Sequence, residues 1–155
     1  MPDYTVIVPL FLLRVMMGLR FVFPGWMLII QGHKPTKEYL AHTKGPLSPL
    51  FKKMAKSRVI DQLNKWGLFL SGLALVFGLF VGIASYVGIA LMLAYWLSKF
   101  PPKPTVIDEN IVYICVLLVL VVLQAGFFWG FDFYLLQIPA VSTIFLQNLW
   151  LRWII

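Results

Sequence analysis

Charged side chains are scarce in this sequence. They make up 12% of the 155 residues, whereas soluble domains contain roughly 25%, and hydrophobic residues reach 61%. A soluble fold of this length could not bury that much apolar surface. The composition therefore predicts an integral membrane protein, and the length is that of a single domain over residues 1–155.

Cysteine is almost absent as well, and histidine is rare. The single cysteine, Cys115, excludes an internal disulfide and a CxxC motif. His33 and His42 stand nine residues apart with no cysteine or carboxylate pattern beside them, so we expect no metal site. We also expect no covalently bound cofactor.

Positive charge is concentrated in one segment of the chain. Eight of the thirteen Lys and Arg residues lie between His33 and Trp66, so the net charge of +7 describes a loop and does not indicate a nucleic acid-binding surface. By the positive-inside rule, the loop 33–65 is expected on the cytoplasmic side. The N-terminal apolar run has no basic stretch before it, so we expect no cleaved signal peptide.

The longest apolar run, Trp66–Leu97, has no charged side chain. As one helix of about 32 residues it would measure roughly 48 Å, which exceeds the roughly 40–45 Å of a bilayer with its headgroups. We therefore predict two helices, at about 66–82 and 84–99. Their turn is expected near 81–86, where Gly82, Ser85 and the nearby Gly88 weaken a helix.

Two further spans flank this hairpin, at about 5–31 and 111–131. The proline-rich stretch 100–104 separates the third span from the fourth, because proline cannot continue a helix. The tail 133–155 is apolar but interrupted, and we expect it to lie at the membrane interface with Trp150 and Trp153 as anchors. A fifth span is the alternative for this tail. The predicted fold class is an all-α four-helix transmembrane bundle.

The loop between the first two spans contains an amphipathic pattern over residues 49–64. Apolar residues recur at three- and four-residue spacing, and basic residues lie largely between them. We predict an interfacial helix that directs Lys52, Lys53, Lys56 and Arg58 toward anionic lipid headgroups. The alternative is a solvated helix in a small extramembrane cap.

Arginine inside an apolar span is the least expected residue type in this chain. Arg14 and Arg20 both lie in the first span, where each costs about 2.5–3.5 kcal/mol to insert at the centre of the bilayer. Arg14 shares a membrane side with Gln124 and Asp132 at the end of the fourth span. These three could form a polar pocket for a quinone headgroup, or a structural contact between the helices. Arg20 is expected deeper in the bundle, as a second pocket residue.

Glycines mark the helix faces where backbones can approach closely. Gly18 and Gly25 stand seven residues apart on one face of the first span, and Gly72 and Gly78 lie in the second. We interpret all four as helix-packing positions.

The chain resembles the DoxX/DoxD family of small membrane proteins over most of residues 10–132. The resemblance lies in the order and spacing of several short blocks. They are Arg14-xxx-Gly18-xx-Phe21-xxx-Gly25-Trp26, Gly45-Pro46-Leu47, Leu63-Asn64-Lys65-Trp66-Gly67-Leu68, Gly72-Leu73-Ala74-Leu75, Gly78-Leu79-Phe80, Leu91-Met92-Leu93-Ala94-Tyr95-Trp96, Pro101-Pro102, Asp108-Glu109-Asn110, and Ala125-Gly126 followed by Trp129-Gly130 and Asp132. Family members often have arginine where this chain has Phe127, and a basic residue where it has Val81-Gly82.

The resemblance implies a membrane subunit of a quinone-linked oxidoreductase, similar to the small subunit of thiosulfate:quinone oxidoreductase or of a terminal quinol oxidase. It also implies the plasma membrane of a prokaryote, lipids and other subunits of an electron-transport complex as partners, and quinone as a possible ligand. A non-catalytic subunit that stabilises a larger respiratory or photosynthetic complex is the alternative, which the two missing basic residues favour. A small transporter is a third hypothesis, permitted by the intramembrane arginines.

Overall fold

The computed structural model describes residues 4–31, 57–99 and 108–138, and these residues are helical with short turns. Within these residues, four long helices, a 3₁₀ turn and a short helix occur in chain order. They are α1 (Tyr4–Gln31), α2 (Arg58–Phe77), α3 (Val81–Ser98), α4 (Glu109–Val122), the 3₁₀ turn (Ala125–Phe127) and α5 (Phe131–Leu136). The prediction of an all-helical fold is confirmed for this part of the chain.

Two of the described helices, α1 with 28 residues and α3 with 18, are long and apolar enough to cross a membrane. Helix α4 is apolar but shorter, with 14 residues. Helix α2 has 20 residues, and its first two turns carry Arg58, Asp61 and Lys65. The predicted tail 133–155 is described only to residue 138, and Lys52, Lys53 and Lys56 lie outside the described residues.

Helices α1 and α2 form the main contact of the bundle, and glycine allows their backbones to meet. A Cβ atom on Gly18 would lie 2.8 Å from the backbone O of Gly72, and one on Gly25 would lie 2.7 Å from the backbone N of Phe69. Helix α3 packs between α2 and α4. The core between the helices includes the fully buried side chains of Phe21, Leu75 and Leu117.

The amphipathic helix predicted at 49–64 is not a separate element where the structure describes it. Residues 58–64 form the first turns of α2 and continue into the apolar part of the same helix. Of the four basic residues that suggested an interfacial helix, the structure describes Arg58, which begins α2. Asp61 and Lys65, in the next turns of α2, pair with each other on the buried side. The polar stretch therefore begins a long helix that starts at Arg58, eight residues before the span predicted at about 66–82.

The turn between α2 and α3 lies earlier than predicted. Helix α2 ends at Phe77, and Gly78 takes the left-handed conformation (φ 68°) that closes many helices. Gly82, Ser85 and Gly88, which suggested a break, are buried inside α3. Gly88 contacts the Phe21 ring so closely that a Cβ atom would lie 2.6 Å from it. These small residues serve helix packing and do not bend the chain.

The fourth predicted span, 111–131, is not one continuous helix. Helix α4 ends at Val122, and the backbone turns at Gln124 (φ 48°) into the 3₁₀ turn and again at Trp129 (φ 53°) before α5. At its other end Asp108 caps α4, because its side chain accepts a hydrogen bond from the Asn110 amide at 2.8 Å.

Candidate functional site: a polar cluster at the α2–α3 turn

The α2–α3 turn meets the segment that follows α4, and α1 passes beside both. Every described residue with positive φ lies at this junction: Gly78, Phe80, Gln124 and Trp129. A non-glycine residue in this conformation costs on the order of 1–3 kcal/mol and persists only where its surroundings hold it. Because strained backbone clusters at functional sites, this junction is the candidate functional site.

Arg14 is the central side chain of the junction and is fully buried. Its Nη1 donates to the carbonyl oxygens of Ala125 at 2.6 Å and Phe128 at 3.1 Å, and its Nη2 donates to that of Trp129 at 3.1 Å. The guanidinium carbon lies 5.3 Å from the centre of the Phe11 ring. Carbonyl groups after a helix end have no intrahelical partner. Arg14 therefore caps the irregular backbone that follows α4.

The Nε atom of Arg14 is buried and has no hydrogen-bond partner among the described residues. Four of the five N–H groups of a guanidinium lie on its two terminal nitrogens, and those nitrogens make all three carbonyl contacts. The side chain is thus oriented by its fork and not by Nε. A lysine has one nitrogen at this reach and could not reproduce that arrangement.

Asp132 performs the complementary task for α3. Its Oδ1 accepts a hydrogen bond from the Phe80 amide at 2.6 Å, and its Oδ2 accepts one from the Val81 amide at 3.1 Å. The Asp132 amide donates in turn to the Gly78 carbonyl oxygen at 3.0 Å. The first amides of a helix lack intrahelical acceptors and attract negative charge. Asp132, which is fully buried, is therefore the N-terminal cap of α3.

Two glycines allow these caps to approach the backbone. A Cβ atom on Gly78 would lie 2.6 Å from the Gly130 Cα and 2.8 Å from the Arg14 guanidinium carbon. A Cβ atom on Gly130 would overlap the Gly126 carbonyl oxygen. Gly78, which was predicted to pack one helix against another, instead lies in a turn that faces Arg14.

The structure brings Arg14, Asp132 and the backbone of Gln124 to one end of the bundle, as the sequence suggested. Arg14 and Asp132 nevertheless form no ion pair with each other, although both belong to the described residues. Arg14 binds the backbone that follows α4, and Asp132 binds the backbone at the start of α3. The arrangement is therefore a pair of caps and not an open pocket between two charges.

Arg20 lies elsewhere, on the surface of the bundle. Its Nε donates to the Tyr113 hydroxyl at 2.8 Å, and its Nη2 lies 3.6 Å from the Glu109 carboxylate. The Arg20 and Glu109 side chains are 59% and 75% exposed. The expectation that Arg20 packs deep in the bundle is wrong, because its long side chain turns toward the first turns of α4.

Sequence reasoning missed a second buried polar group, near the start of α2. Lys65 and Asp61 form an ion pair with a 2.6 Å contact, and only 10% and 6% of their side chains are exposed. Nearby, the Tyr95 hydroxyl donates to the Asn64 side-chain oxygen at 2.7 Å. The four-residue spacing of Asp61 and Lys65 is the signal that could have identified the pair.

Arg58 is exposed at the start of α2. The described residues contain no group of three His, Cys, Asp or Glu side chains that could hold a metal ion. The chain matches no protein-family model, no curated protein and no solved structure.

Proposed function

We propose that this protein is a multi-pass membrane protein that acts as a non-catalytic subunit of a quinone-linked redox complex. The observation that carries the proposal is the use of Arg14. This buried arginine donates to three backbone carbonyl oxygens. A side chain that costs free energy to insert into a membrane therefore stabilises the fold itself. Asp132 serves α3 in the same way.

A membrane environment explains why the two caps are needed. In lipid, irregular backbone is tolerated only where protein groups satisfy its amides and carbonyls. The α2–α3 turn and the break after α4 are two such places, and Arg14 and Asp132 satisfy them. We infer that α1, α2, α3 and α4 with the segment after it form the four-span bundle of a prokaryotic plasma-membrane protein. The segment between α1 and α2, which formed most of the predicted loop 33–65, would then face the cytoplasm.

The outer surface of the helices supports a scaffold that contacts lipids and other subunits. Large apolar side chains are more than half exposed on three of the long helices, among them Met16 and Ile30 on α1, Leu70 on α2 and Val122 on α4. Exposed apolar faces of this kind are expected where lipid or a partner chain covers the helix. The resemblance to DoxX/DoxD proteins supplies the class of partner, a quinone-linked oxidoreductase.

Quinone binding at Arg20 is the second candidate function. The Arg20 guanidinium is largely exposed, and the Tyr113 hydroxyl lies beside it, so both could donate hydrogen bonds to a quinone carbonyl oxygen. Such a site would lie on the outer surface of α1 and α4. It would not be the pocket between helices that the sequence suggested.

Two arginine substitutions separate these functions. The tagged chain is purified in mild detergent with its partners, which are identified, and quinone-dependent turnover of the complex is measured. For the scaffold, Arg14→Leu should lose the complex while the partner's catalytic core keeps its activity, and Arg20→Leu should leave assembly and turnover intact. If the Arg20→Leu protein assembles normally but the complex loses quinone-dependent turnover, the result favours the quinone site. Arg20→Lys, which keeps the positive charge, is the control for loss of charge. Purification of the chain alone, without partners, would contradict both functions.

A further inference from the structure

A groove of about 440 Å³ lies on the exposed side of the first turns of α2. Its described walls are Arg58, Val59, Gln62, Leu63 and Trp66. Arg58 and Gln62 give the groove its polar groups, and Val59, Leu63 and Trp66 give it apolar ones. The apolar side chains are well exposed, 74% for Val59 and 69% for Leu63.

The charge on this side of α2 has one sign. Asp61 is the only acidic residue of the helix, and it lies on the buried side, where it pairs with Lys65. Arg58 is exposed and lines the groove, so its positive charge faces outward. A ligand held here must therefore combine a negative group with an apolar portion.

The apolar part of the groove continues along α2 into the hydrophobic stretch. Leu70 follows Trp66 by one turn and is 56% exposed, so Leu63, Trp66 and Leu70 form one exposed stripe. The Trp66 indole packs edge-on against Phe69 at 6.2 Å between ring centres, which fixes its position. Tryptophan is characteristic of the headgroup level of a membrane, where an arginine can contact phosphate and an acyl chain can follow an apolar stripe.

From these contacts we propose that the α2 groove binds one anionic phospholipid. Arg58 and Gln62 hold its phosphate headgroup, and Leu63, Trp66 and Leu70 line one acyl chain. The inference requires only that the chain lies in a membrane, and it does not depend on the proposed role in a redox complex.

The test uses the full chain in phosphatidylcholine vesicles that contain increasing amounts of brominated phosphatidylglycerol, which quenches nearby tryptophan. Each variant is measured with and without Trp66→Phe, so that the difference reports on Trp66 alone. Brominated phosphatidylcholine at the same fraction measures contact with neutral lipid. We expect phosphatidylglycerol to quench Trp66 at a lower lipid fraction than phosphatidylcholine, and the preference to weaken with added salt.

Arg58→Gln should reduce the apparent affinity for phosphatidylglycerol about fivefold, the equivalent of the roughly 1 kcal/mol that one basic side chain contributes near an anionic surface. Arg58→Lys should retain most of the preference. Lys99→Gln is the control for the loss of one positive charge, because Lys99 is half-exposed next to α3, lies 3.8 Å from the Asp108 carboxylate and does not line the groove. The proposal is overturned by equal quenching from the two lipids, by an unchanged preference in Arg58→Gln, or by an equal loss in Lys99→Gln. Absence of any Trp66 quenching would overturn it too, since protein would then cover the groove.

Discussion

Replacing Gly72 with alanine tests the contact between α1 and α2. The added Cβ would lie 2.6 Å from the Val22 backbone N and 2.8 Å from the Gly18 backbone O. Ordinary Cβ contacts begin at about 3.4 Å, so the two helices would have to separate locally by roughly 0.6–0.8 Å. The atoms in the way belong to the α1 backbone and cannot rotate aside as a side-chain end can.

Two opposing effects set the size of the change. Overpacking of a tight contact costs about 1–3 kcal/mol, whereas alanine in a helix interior is favoured over glycine by about 0.8–1.0 kcal/mol. We therefore expect Gly72→Ala to lower the free energy of unfolding by up to about 2 kcal/mol. Gly67→Ala, in the same helix, is the matched control. Its Cβ would meet only side-chain ends, Leu91 at 3.3 Å and Val87 at 3.9 Å, so this variant should be neutral or slightly more stable.

The measurement is an unfolding titration with sodium dodecyl sulfate in dodecyl maltoside micelles, followed by circular dichroism. Gly18→Ala and the Gly18→Ala/Gly72→Ala double variant complete a cycle. Because Gly18 and Gly72 meet at one contact, a single separation of the helices relieves both, and the double variant should lose less than the sum of the single losses. If Gly72→Ala were as stable as Gly67→Ala, the close backbone contact would be refuted.

Three further predictions concern the buried polar groups. Arg14→Lys should lose about 2–4 kcal/mol in the same titration, because one ammonium cannot replace a fork that bonds three carbonyls; an unchanged unfolding midpoint would contradict this role. Asp132→Ala should speed hydrogen–deuterium exchange at the Phe80 and Val81 amides, and Asp132→Asn should speed it less because one acceptor oxygen remains; equal exchange in all three proteins would rule out the cap. Lys65→Met should cost about 3–5 kcal/mol by leaving the buried Asp61 carboxylate without its lysine, and adding Asp61→Leu should restore most of that loss; a double variant as unstable as the single one would argue against the pair.

Hydropathy was sufficient to predict helices but not where they stop. The run 66–97 contains parts of two helices, yet the turn lies at Gly78–Phe80 and not among Gly82, Ser85 and Gly88. Glycine favours both a left-handed turn and a close helix contact, and sequence alone does not distinguish these uses. The distinction comes from partners far along the chain, since Gly78 faces Arg14 and Gly88 faces Phe21.

The end of α4 was unpredictable for a related reason. Residues 123–131 contain one polar side chain, Gln124, and two glycines, but no charge and no proline. Transmembrane helices tolerate that composition, so the sequence does not mark a break at Gln124. The carbonyl oxygens exposed by the break accept hydrogen bonds from Arg14, more than 100 residues earlier in the chain. Sequence did identify Arg14 and Asp132 as the residues of interest at this end. It could not show that each binds backbone, because that depends on where the helices end.

The distance in sequence between Arg14 and its carbonyl partners has a consequence for biosynthesis. Ala125, the first of them, lies 111 residues downstream. At roughly 5–20 residues per second, a ribosome needs between about 6 s and about 22 s to make that stretch. Throughout this interval α1 carries an arginine whose native partners do not yet exist, at an insertion cost of about 2.5–3.5 kcal/mol at the bilayer centre. In the proposed membrane bundle, the native hydrogen bonds of Arg14 can therefore form only after the segment that follows α4 has been made.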